Sequence, residues 1–132
     1  MAKKWDLRER TMDFAVAVFR FCRTLPRTDE ARDVASQLRR SASSVAANYR
    51  AAKRSQSDAV FVSKAAIIIE EADESGFWLE LLVEVEIVKR EIAQSLLTES
   101  SELVAIFTAS RKTVVARIAS QRPKQKRFSR SS

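Results

Sequence analysis

Between Pro26 and Pro123 the chain runs without a proline and with a single glycine, Gly76, while Ala, Leu, Arg and Glu fill the interval. Such a stretch has almost nowhere to make the proline or positive-φ turns that hairpins and sheet corners need, and its commonest residues are strong helix formers. The reading is all-α, and what remains is to find where each helix stops. Leu7, Thr11, Phe14, Val18, Phe21 and Leu25 recur at steps of four and three, an amphipathic helix that Pro26 is expected to stop. Thr28 or Asp29 can cap a second helix that buries Val34, Leu38, Val45 and Tyr49, with Ala42 and Asn48 on a thin seam. Ser57 or Asp58 can cap a third, with Phe61, Ile68, Ser75 and Leu82 at a strict seven-residue step. Gly76 falls inside it beside Ala65 and Ala72, so its cost of about 1 kcal/mol relative to Ala is expected to be offset by close approach of a neighbouring helix. Leu96, Leu103, Phe107, Val114 and Ile118 have their own phase, which places a turn near Glu86 to Arg90 and a fourth helix reaching about Ala119. The expected architecture is an up-down antiparallel four-helix bundle over residues 1–120. The remainder, 121–132, has a proline and five cations but one Phe, and reads as a basic disordered tail.

The net charge of +7 invites a nucleic-acid reading, but its distribution qualifies it. Residues 1–56 carry 13 Lys/Arg against 6 Asp/Glu, residues 57–120 carry 6 against 11, and the tail carries 5 against none. The first half is basic and the second acidic, so part of the asymmetry can be consumed by helix or subunit pairing. Arg39 and Arg50 stand eleven residues apart, close to three helical turns, and line one stripe with Ser43 and Arg54. Glu70, Glu71, Asp73 and Glu74 give the next helix a complementary band. Either these arginines pair with that band or they grip phosphates, since a guanidinium fork matches both anions. Arg39, Arg40, Arg50, Lys53 and Arg54, with Arg122, Lys124, Lys126, Arg127 and Arg130 of the tail, are the candidate nucleic-acid contacts. Asn48, on an apolar seam, is expected to specify register within a polar network that includes the four acids. Phe77 and Trp78 either stack on bases or pack at a core or interface.

No histidine is present, which removes histidine-based triads and the Glu-x-x-His di-iron pattern of ferritin-like bundles. Glu70/Asp73 and Glu71/Glu74 have the i, i+3 spacing without the imidazole; an all-carboxylate Mg²⁺ or Mn²⁺ site competes there with ion pairing, the simpler use of acids beside an arginine stripe. Neither a phosphate-binding glycine loop nor other catalytic apparatus is visible, so the reading is non-enzymatic, without cofactor or metal. The single Cys22 cannot form an internal disulfide, no apolar run has the length of a membrane span, and residues 1–10 lack the apolar core of a signal peptide. A cytoplasmic protein without membrane contact is the expectation.

The segments QLRRSASSVAANYRAAKR (37–54) and EEADESGFWLELL (70–82), with FVSKAAIII between them, resemble the 23S ribosomal RNA intervening-sequence proteins. DFAVAVFRFCRTLP and ELVAIFTASRKT extend the resemblance over most of residues 7–119. Its strongest positions fall on Gln37, Arg39, Arg40, Asn48, Arg50, Lys64, Glu70, Glu71, Asp73, Glu74 and Trp78. The resemblance implies an up-down bundle whose subunits form a ring-like homopentamer. A related bundle is the accessory protein of diversity-generating retroelements, which works with a reverse transcriptase and nucleic acid, so RNA or DNA and such a protein partner are the implied partners. This chain departs where the family commonly places a Gly between helices three and four: it has Glu86. Two function classes survive, an oligomeric nucleic-acid-binding accessory factor and a structural or protein-interaction module that merely oligomerises. Where the cations of the first two helices face separates them.

Overall fold

The computed structural model describes residues 6–123, which form four helices and, among the described residues, no strand: α1 (Leu7–Cys22), α2 (Asp29–Ser55), α3 (Asp58–Glu84) and α4 (Arg90–Gln121). Lys124, Lys126, Arg127 and Arg130 lie outside the described residues. Three of the four helices begin at a side-chain cap. The Asp6 carboxylate accepts from the amides of Arg8 and Glu9, Thr28 accepts from Ala31 at 3.3 Å, and Ser57 accepts from Val60 at 3.3 Å. These bonds satisfy amides that a helix start otherwise leaves without partners.

The helices stack as antiparallel neighbours, α2 on α3 and α3 on α4, with α1 laid mainly against α2 and only lightly against α4. The expected seams are the observed core: Phe14, Val18, Leu38, Val45, Ile68, Leu82, Leu103 and Phe107 are all buried. Tyr49 meets the edge of Phe107 with ring centroids 5.6 Å apart, so α2 and α4 touch across the bundle axis. Ser41 and Ser75, both fully buried, face each other at 2.8 Å between Oγ atoms, and each hydroxyl can also donate within its own helix, Ser41 to Leu38 O and Ser75 to Glu71 O, so neither strands a polar atom in the α2–α3 seam.

One boundary differs from expectation. α1 ends at Cys22, before Pro26, because the proline disfavours helical backbone at Leu25 and the chain tightens into turns in which Thr24 and Leu25 donate to the carbonyls of Phe21 and Cys22. Leu25 still packs on the core from outside the helix. The α3–α4 turn is where the phase change placed it, and Glu86 takes a left-handed conformation there, φ 64°. Its amide donates to Val83 O and that of Ile87 to Leu82 O, both at 3.0 Å, the paired bonds of a Schellman motif with Glu86 at the position that favours glycine. Gly76 lies against α4: a Cβ there would stand 3.0 Å from Ser100 Oγ, so the small residue serves close helix approach.

Candidate nucleic-acid interface

A helix turns about 100° per residue, so the adjacent Arg39 and Arg40 leave α2 toward different neighbours. Arg40 reaches α3: its Nη1 donates to Glu71 at 2.9 Å and its Nη2 bonds Glu74. Arg39, half-buried, lies on the α1 side beside the Cys22 thiol. The stripe of Arg39, Ser43, Arg50 and Arg54 therefore borders α1, and within the chain it does not meet the acidic band. Only Arg40 does. Glu70 and Asp73 are exposed on the far side of α3 and form no ion pair among the described residues. Asn48 is half-buried, and its amide donates to Ser44 O and Ser44 Oγ, both at 2.9 Å, so its hydrogen bonds stay within α2 instead of setting register between helices.

Arg50, Lys53 and Arg54 come together at the C-terminal end of α2, and Arg8 of α1 joins them around a concave site of about 270 Å³. None of the four forms an ion pair among the described residues. A second hollow of about 440 Å³ continues past Arg8 and Arg50 to Met12, with Asp6, Glu9 and Asp13 on its rim. Arg8 is a cation that sequence reasoning missed. The available signal was the short α1–α2 connection, which sets the two helices antiparallel and brings the start of α1 beside the end of α2.

Four other arginines, Arg10, Arg90, Arg111 and Arg117, are engaged within the bundle. Arg10, buried, makes two 2.8 Å hydrogen bonds to Glu99 with Glu102 at 3.7 Å, and this contact raises its pKa. Arg90 pairs with Glu80, and Arg117 pairs with Asp58 through two bonds, which lowers the Asp58 carboxyl's pKa. Arg111 donates to Val62 O at 3.0 Å. Arg122 is exposed at the end of α4, where its amide donates to Ala119 O, and its side chain adds a cation near the start of the tail. Phe77 is 55% exposed and Trp78 half-buried, the rings edge to face at 5.0 Å; the Trp78 indole N–H is buried without a hydrogen-bond partner.

Among the described residues no group of three acidic, Cys or His side chains is placed to hold a metal ion, and no helix is long and apolar enough to cross a membrane. No curated protein matches the chain. A solved structure of a protein of unknown function from the S23 ribosomal protein family of Bacteroides thetaiotaomicron is 31% identical, with a TM-score of 0.74 over 80% of this chain and 98% of that one. The family model described as 23S rRNA-intervening sequence protein matches residues 3–109, most of the bundle. The chain belongs to the 23S rRNA-intervening sequence protein family.

Proposed function

We propose that the protein is a non-enzymatic oligomeric bundle that binds RNA or DNA through phosphate contacts on its α1–α2 face. The observation that carries this reading is the cleft of Arg8, Arg50, Lys53 and Arg54, four cations without carboxylate partners among the described residues, where Arg10, Arg40, Arg90 and Arg117 all have them. Guanidinium and ammonium groups left in water beside one another favour a polyanion, and contacts of this kind read phosphate, not base sequence. The family's description, which refers to an intervening sequence of ribosomal RNA, agrees with an RNA-associated role.

Assembly is the second half of the proposal. Phe77 on α3 and the row Met12, Val16 and Phe19 on α1 leave apolar surface that one bundle does not cover. With the resemblance, they support a homo-oligomer, a pentameric ring in which weak phosphate contacts add by multivalency. The resemblance adds a nucleic-acid-processing protein, such as a reverse transcriptase, as a proposed partner. Salt titration of single-stranded RNA and duplex DNA binding tests the reading. The log–log slope should fall by about 0.7–0.9 for each phosphate contact removed, so Arg50→Gln/Arg54→Gln should flatten it, and truncation after Ser120 should do so separately. If the full-length protein retains neither polymer at low salt, it is an oligomerisation module instead.

A further inference from the structure

At the opposite end of the α1–α2 pair the chain turns between the helices, and four more arginines converge. Arg23, Arg27, Arg32 and Arg39 line a cleft of about 300 Å³, with Cys22, Leu25, Pro26, Ala31 and Ala35 completing its wall. Among the described residues no carboxylate lines it. Arg32 bonds Asp29 at 2.9 Å, but both side chains are largely exposed and such a pair holds its partner only weakly. Arg39 is the informative member. It is half-buried, forms no ion pair among the described residues, and the group recorded beside it is the Cys22 thiol, a poor hydrogen-bond acceptor.

We propose that this elbow is a phosphate-binding site distinct from the Arg8–Arg50 cleft, in which Arg23, Arg27, Arg32 and Arg39 surround one phosphate or pyrophosphate group. Its size, at the lower limit for a small-molecule pocket, has room for a phosphate or pyrophosphate group. The backbone that carries the rim is already fixed: Pro26 restricts it, Thr24 and Leu25 donate to Phe21 and Cys22 carbonyls, and Leu25 is anchored on the core. Binding therefore needs side-chain adjustment alone, a small ordering cost. An anion supplies Arg39 with the acceptors it lacks, through the fork geometry that suits phosphate. Asp29 and Glu30 already complement the amide end of α2, so the site rests on the guanidiniums and not on the helix dipole. The phosphate has two possible sources, a free small phosphate or the backbone of a nucleic acid.

Calorimetry on the full-length chain with inorganic pyrophosphate and, separately, a short oligouridylate distinguishes them. The expected result is pyrophosphate bound at least tenfold more weakly by Arg23→Gln/Arg27→Gln and by Arg39→Gln, and equally well by Lys112→Gln, an exposed cation that lines neither cleft. If only oligouridylate binds, and the elbow variants weaken it tenfold, the site stands with nucleic acid as the source. If neither ligand binds the wild type, or if elbow variants with unchanged helical circular dichroism bind both ligands as the wild type does, the site is refuted. Loss of oligouridylate binding in Arg50→Gln/Arg54→Gln alone speaks to the proposed function and leaves the elbow's pyrophosphate result to be judged by itself.

Discussion

Replacing Gly76 with Ala sets helix propensity against packing at a single atom. In an isolated helix the change should stabilise by about 0.8–1.0 kcal/mol. Here the new Cβ would stand 3.0 Å from Ser100 Oγ, well inside the usual carbon–oxygen separation. Ser100 is 4% exposed and its hydroxyl donates to Leu97 O at 2.9 Å, so the oxygen cannot swing away without losing that bond, worth about 1 kcal/mol. Moving α3 from α4 instead is overpacking, at about 1–3 kcal/mol. Against a cost of about 1–3 kcal/mol the gain is at best cancelled, and G76A should be neutral to destabilising by up to about 2 kcal/mol. Ser100→Ala removes the obstructing oxygen and leaves Cβ to meet Cβ at 3.8 Å, an ordinary contact. In that background G76A should gain roughly the propensity term, so the double-mutant cycle should show a coupling of about 1–3 kcal/mol. Urea unfolding at one fixed protein concentration measures it, with unchanged m values confirming that stability alone has shifted. A stabilising G76A in the wild-type background, or additivity across the cycle, would refute close approach as the reason for the glycine.

Two other changes test the ends and the flank of the bundle. Glu86→Gly relieves a left-handed residue, at about 1–2 kcal/mol, but loosens the unfolded chain by about 0.4–1 kcal/mol; a net gain of about 0.5–1 kcal/mol is expected, with Glu86→Ala showing none in the same urea titration. Arg10→Ala strands Glu99 beside the lightly packed α1–α4 flank. Breaking a buried pair costs about 3–5 kcal/mol, and with Glu99 still 26% exposed the expected loss is about 2 kcal/mol, falling sharply when measured in a Glu99→Ala background.

The fold was legible because few residues stop a helix in this chain and the apolar phase breaks where the chain turns. The seven-residue step Ile68, Ser75, Leu82 located the buried arc of α3, and the seam from Leu96 to Val114 located that of α4. Even Ser75, polar on an apolar seam, was correctly placed; its partner Ser41 was not foreseen, because hydroxyl pairing depends on the axial register of α2 and α3. Arg10 carried a readable signal, since it stands four residues before Phe14 on the same buried arc, where a cation needs an acid. Which acid it finds depends on the lateral neighbour.

Lateral neighbours are what apolar periodicity does not encode. Four amphipathic helices in up-down order can turn around their common core in either sense, and both senses bury the same seams. They differ in which flank of each helix meets which neighbour. On α2 the two flanks carry Arg39 and Arg40, one residue apart, and in the opposite hand Arg39 would lie toward α3 while Arg40 lay toward α1. The observed hand gives Glu71 and Glu74 to Arg40 and leaves Arg39, Arg50 and Arg54 along α1, beside Arg8 and Arg23. The acidic band therefore neutralises one arginine of the motif and not the stripe. Which cations are left without carboxylate partners is a consequence of bundle handedness, and their separation into two clefts follows from Arg39 and Arg50 standing three turns apart on the same face.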